Sequence, residues 1–168
     1  NDTTISYLCY NQINSATCSN RMLTVAQMEQ ELEDTISSAL ETCINVHDYS
    51  DDITSIAESW VLEIDVYQTS VDFLLTYPVE ISKDEEVIKI DEFTHTADVP
   101  LGELYDVSMD IVNQEASLGD FDQLIYMLQK FSKYTIYKLR PYPDKIYQVK
   151  FREDDYLFQF AIQGEELN

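Results

Sequence analysis

A chain of 168 residues, 45% hydrophobic and 25% charged, has the length of one globular domain and enough apolar residues to build a core. Thirty-two acids against ten lysines and arginines give a formal charge of −22, which makes phosphate backbones and anionic lipid surfaces poor partners. The three glycines, Gly102, Gly119 and Gly164, stand alone, which excludes glycine-rich phosphate and dinucleotide loops.

The chain opens at Asn1 without an initiator methionine, as a mature product or a fragment does. No apolar run approaches the roughly 18 residues of a membrane span. Residues 1–22 form a polar N-terminal extension, and 23–168 read as a single α+β domain. Asn1-Asp2-Thr3 has the form of a glycosylation sequon, so Asn1 is a candidate glycan carrier. Ile5, Tyr7 and Cys9 alternate with Ser6 and Leu8 as in a short strand, which would complete a neighbour's sheet or pair within its own.

Cys9, Cys18 and Cys43 are the disulfide candidates. They make no Cys-x-x-Cys pair and the two histidines lie far apart, which argues against structural zinc. Cys43 falls on the apolar face of a predicted helix, so Cys18–Cys43 or Cys9–Cys43 would staple the extension to it. Spacing does not choose between pairings. The alternative is three buried free thiols in a cytosolic protein; a disulfide points instead to an oxidising, extracytoplasmic setting.

Thr24 and Gln27 form a capping-box pair ahead of a helix with Val25, Met28, Leu32, Ile36, Ala39, Leu40 and Cys43 on one face. From Trp60 the period becomes two: Trp60, Leu62, Ile64 and Val66, then Val71, Phe73, Leu75, Tyr77, Val79 and Ile81, predict a hairpin with one face buried. A third strand spans about Val87–Thr96, with Ile88 and Ile90 inward. Asp98 and Pro100 start a helix carrying Leu101, Leu104, Ser108, Ile111 and Val112, which ends near Gly119. Asp120 with Gln123 caps another, with Phe121, Leu124, Ile125, Leu128 and Phe131 as its apolar stripe. Tyr134–Leu139, Ile146–Arg152 and Tyr156–Gln163 read as three closing strands. The order α-βββ-αα-βββ predicts antiparallel sheet with helices on one side, an α+β fold.

The helix ending in Cys43-Ile44, the strand pair Val61–Val66 and Val71–Ile81, and the terminal Phe158-Gln159-Phe160-Ala161-Ile162 together resemble an uncharacterised family of extracytoplasmic domains of small-genome (DPANN-type) archaea. The resemblance spans roughly residues 22–163. It implies a location outside the cytoplasm and, in such proteins, an N-terminal membrane anchor; it implies no activity.

Chemistry-bearing signals are few. His47-Asp48-Tyr49-Ser50-Asp51-Asp52 is the densest acidic segment, and Asp48, Asp51 and Asp52 are weak Ca²⁺ candidates without calcium-loop spacing. Solvated acidic turns are the simpler reading there and at Asp84-Glu85-Glu86 and Glu153-Asp154-Asp155. No nucleophile elbow or zinc-hydrolase helix is present, and no cofactor or catalytic residue is assigned. Trp60 belongs to an alternating strand and reads as core.

Charge is divided along the chain. Seven of the ten bases lie between residues 130 and 152 with one acid, a net of +6, leaving −28 elsewhere. Lys138, Arg140, Tyr142, Lys145, Tyr147, Lys150 and Arg152 form a basic, tyrosine-rich hairpin. It either lies against the acids of its own domain or meets another protein, including other copies in head-to-tail contact. The expected function is a non-enzymatic extracellular or cell-surface structural or interaction domain, self-assembling through these faces in one form. Calcium or small-ligand binding is the alternative, followed by a carboxylate-based hydrolase.

Overall fold

A computed structural model describes residues 5–11, 17–44, 53–55, 59–83, 86–130, 133–152 and 155–164. Its elements are β1 (Tyr7–Asn11), β2 (Cys18–Asn20), α1 (Val25–Leu40), β3 (Ile53–Ser55), β4 (Val61–Val66), β5 (Val71–Lys83) and β6 (Glu86–Ala97), followed by α2 (Leu101–Leu118), α3 (Gln123–Gln129), β7 (Tyr134–Leu139), β8 (Lys145–Phe151) and β9 (Leu157–Ile162). The α+β class and the order of the expected elements hold, with β1 where the short N-terminal strand was expected and β2 and β3 added to them. The residues pack as two compact units, one of residues 1–22 and 103–168, the other of 23–102. This differs from a polar extension before one domain, because β1 and β2 supply strands to the sheet that the C-terminal strands build.

In the second unit Thr24 caps α1. Its hydroxyl accepts the Gln27 N–H at 3.3 Å while the Gln27 side chain accepts the Thr24 N–H at 3.0 Å. Leu32, Ile36 and Leu40 of α1 pack with Leu62 and Ile64 of β4 and Val71 of β5, joined by partly buried Trp60 and Phe73. β5 is the central strand. β6 pairs along its whole length on one edge, while β4 (from Thr76 back to Val71) and β3 (Val79 to Ile81) share the other. Pro78, without an N–H to donate, falls where the β5–β6 register slips between Thr76 and Val79.

The outer edge of β4 is covered in an orderly way. Glu33 accepts the Ile64 N–H and Glu29 the Val66 N–H, each at 3.0 Å. Four helical residues rise about 6 Å and two strand residues about 6.6 Å, so carboxylates one turn apart meet alternate amides. The core of this unit stops at β5, and no β6 residue belongs to it. Ile88, expected inward, is therefore 57% exposed, and Ile90 is half-buried.

In the first unit the sheet runs β2-β1-β9-β8-β7. Its pairs are antiparallel except β1 with β9, which is parallel. The N-terminal strand thus pairs inside its own sheet, and a disulfide joins Cys9 to Cys18 across β1 and β2. Neither expected pairing through Cys43 occurs: α1 ends at Leu40, and Cys43 lies in the following turn as an exposed free thiol. Leu104, Val107, Ile111 and Val112 of α2 pack with Ile136, Tyr147, Val149, Phe160 and Ile162. Of the stripe expected for α3, Phe121 is buried and Phe131 lies outside the described residues, but the helix itself turns the other way. Asp122, not Asp120, is its N-cap; Tyr126 and Met127 turn to the core, while Leu124 (65% exposed), Ile125 and Leu128 (75%) face out.

Candidate functional site

On α2 the buried positions Leu104, Val107, Ser108, Ile111 and Val112 continue one turn further to Glu115, which is 1% exposed. A carboxylate there needs partners, because burying it unpaired is strongly unfavourable. The β7–β8 hairpin supplies them. Lys138 lies directly across from Tyr147, and Lys145 stands two residues before Tyr147 on the same face. The Tyr147 hydroxyl donates to Glu115 Oε1, and Lys145 Nζ donates to Oε2 at 2.6 Å. Lys138 Nζ, with its side chain 4% exposed, lies 3.6 Å from Oε1, donates to the Phe121 carbonyl at 3.1 Å and pairs with Asp120. It also sits 5.5 Å from the centre of the Tyr147 ring.

Gly119 completes the cluster. Its φ of 73° is left-handed, a conformation that favours glycine, and its carbonyl accepts from Lys145 Nζ at 2.5 Å. Burial and the bond to Glu115 push the Tyr147 phenol well up from its ordinary pKa. Partial burial pushes Asp120 up, but Lys138, Lys145 and Arg140 outweigh it and hold its carboxyl below the usual range. Glu115 and Lys145 also line a cleft of about 420 Å³, together with Asn11, Gly119, Pro143 and Gln163. Both Glu115 oxygens and the Lys145 ammonium are already engaged by the chain itself. The cluster clasps the hairpin to α2. A second clasp lies beside it, where Tyr126 donates to Asp110 at 2.7 Å, Tyr134 to Glu103 at 3.1 Å, and Lys133 pairs with Glu103 at 2.5 Å.

The hairpin expected as an interaction surface is thus corrected in part. Lys138, Lys145 and Tyr147 turn inward, toward the acids of their own unit. Arg140 and Tyr142 are exposed, with Arg140 3.6 Å from Asp120; Lys150 pairs with Asp155 at 3.0 Å, and Arg152 is exposed. Asn1 and the calcium candidates Asp48, Asp51 and Asp52 lie outside the described residues. Among the described residues no three His, Cys, Asp or Glu side chains gather as metal ligands. Glu115 itself escaped the sequence reading, although the α2 stripe led to it: an acid at a core position, with lysines and a tyrosine at strand spacing further on, is the signal.

The larger charge imbalance lies in the second unit. Residues 23–102 hold nineteen acids against Lys83 and Lys89, a net of −17. Register aligns Asp65, Asp72 and Thr96 in one row across β4, β5 and β6, with Glu63, Leu74 and Thr94 in the next. Two open clefts of about 470 and 410 Å³ flank α1, walled by Glu29, Glu33, Asp34, Glu41, Glu63 and Asp65 among others. No helix of the described residues is long and apolar enough to cross a membrane. Comparison of the chain with family models, curated proteins and solved structures returns no match.

Proposed function

We propose that this chain is a non-enzymatic, extracytoplasmic interaction domain, and that its recognition surface is the acidic second unit. One observation carries the reading. Lys138 and Lys145 of the hairpin are engaged by Glu115 and Asp120 within their own unit, whereas the nineteen acids of residues 23–102 have only two lysines among them. A field of that sign attracts cationic partners and repels anionic ones. The Cys9–Cys18 disulfide supports an oxidising location, in line with the family resemblance. Self-assembly through the hairpin loses support, since two of its lysines and Tyr147 face inward.

Panning a displayed library of random twelve-residue peptides on the immobilised chain tests the proposal. Lysine- and arginine-rich peptides should be enriched, and their capture should weaken steeply between 50 and 300 mM salt, as exposed charges do over roughly this range. No enrichment over a blank surface, or enrichment of acidic peptides, would remove it.

A further inference from the structure

The two free edges of the second unit's sheet are treated differently. At β4 the outward amides of Ile64 and Val66 are taken up by Glu33 and Glu29. At β6 nothing comparable occurs: among the described residues it pairs only with β5, and no side chain bonds its outer edge. β6 is also long, twelve residues, and ten of them are exposed, including Val87, Ile88 and Phe93. An open strand of that length offers a row of unpaired N–H and C=O groups to any extended chain. Sequences avoid this with lysines, prolines or cover, and β6 has no proline and one lysine. That lysine, Lys89, is paired with Glu80 on β5 at 3.3 Å. The exposed acids of the strand are Glu86, Asp91 and Glu92.

We infer that β6 is a docking edge for an extended, lysine- or arginine-rich segment of another protein, which adds to the sheet as a further strand. Main-chain hydrogen bonds would hold the segment; cations on one face would meet Glu86 and Glu92, and the apolar residues on the other would lie beside Val87 and Phe93. The cationic character follows from the charge of the strand, and the extended form from its open edge. This deepens the proposed function and rests on it.

The probe is an end-capped ten-residue peptide of alternating lysine and valine, with a second peptide of the same sequence N-methylated at every other residue. N-methylation keeps charge and side chains but removes the amides that would pair with β6. The first peptide should bind one to one and slow amide exchange across residues 86–97. The N-methylated form should bind about tenfold or more weakly, the loss of at least one net hydrogen bond. Asp91→Lys with Glu92→Lys, both exposed positions, should weaken the first peptide by a similar factor without altering the circular dichroism of the chain. Equal affinity for the two peptides would overturn strand addition while leaving an acidic recognition surface. Slowed exchange confined to another element would also overturn the docking edge, and no binding of either peptide in 20 mM salt would remove both readings.

Discussion

Glu115 shows how much one side chain can fix in this chain. Its carboxylate is held by a phenol and two ammonium groups, so truncating it removes the buried partner that Tyr147, Lys138 and Lys145 share. Glu115→Ala should therefore cost about 3–5 kcal/mol in urea unfolding, the usual range for removing one partner of a buried pair. Lys150→Ala, which breaks an exposed pair with Asp155, should cost at most about 0.5 kcal/mol. The phenols give a second test. Burial, then Glu103, pushes Tyr134 up to about 12, and Tyr147 and Tyr126 are raised by burial together with Glu115 and Asp110. Folded pKa values above the unfolded value of about 10 mean that the native state keeps protons the unfolded chain releases. Stability should be intact below pH 10 and fall as pH rises toward 12. In ultraviolet titration these phenols should ionise late, with loss of structure, whereas a single early transition for all twelve tyrosines would contradict it. Charge counting alone gave an ambiguous hairpin, because it does not say which way a lysine points; that depends on Glu115, a long-range partner.

Elements with strong local signals were readable. The Thr24 capping box, the alternation of β4 and β5 and the three closing strands all follow from spacing, since each pattern is satisfied within its own segment. Two failures are instructive. α3 has seven residues, too few for periodicity to fix its buried face, and the aromatic ring of Tyr126 with its bond to Asp110 wins over three aliphatic side chains. Cys43 looked like core only because α1 was read one turn too long. The Cys9–Cys18 link closes a short loop, so Cys9→Ser with Cys18→Ser should lower stability by about 2.5 kcal/mol in the chain-entropy treatment, measured by thermal unfolding. Gly102 is set by space. A Cβ there would come within 2.5 Å of the Tyr67 carbonyl oxygen, so Gly102→Ala must shift backbone and should destabilise the chain more than an exposed alanine substitution does.

For the whole molecule, the division of charge organises the account. The formal charge of −22 was plain in the sequence, but not that −17 of it gathers in a unit separate from the basic hairpin, because residues 1–22 and 103–168 come together only in the folded chain. Self-repulsion within residues 23–102 should be relieved by salt, so the melting temperature should rise between 20 and 300 mM sodium chloride, over which the screening length shortens from about 20 Å to under 10 Å. The central claim is that recognition belongs to the acidic unit, and amide chemical-shift mapping during titration with the lysine–valine peptide tests it most directly. Shifts should concentrate in residues 61–97 and saturate at one equivalent; shifts confined to residues 134–152 would contradict the account.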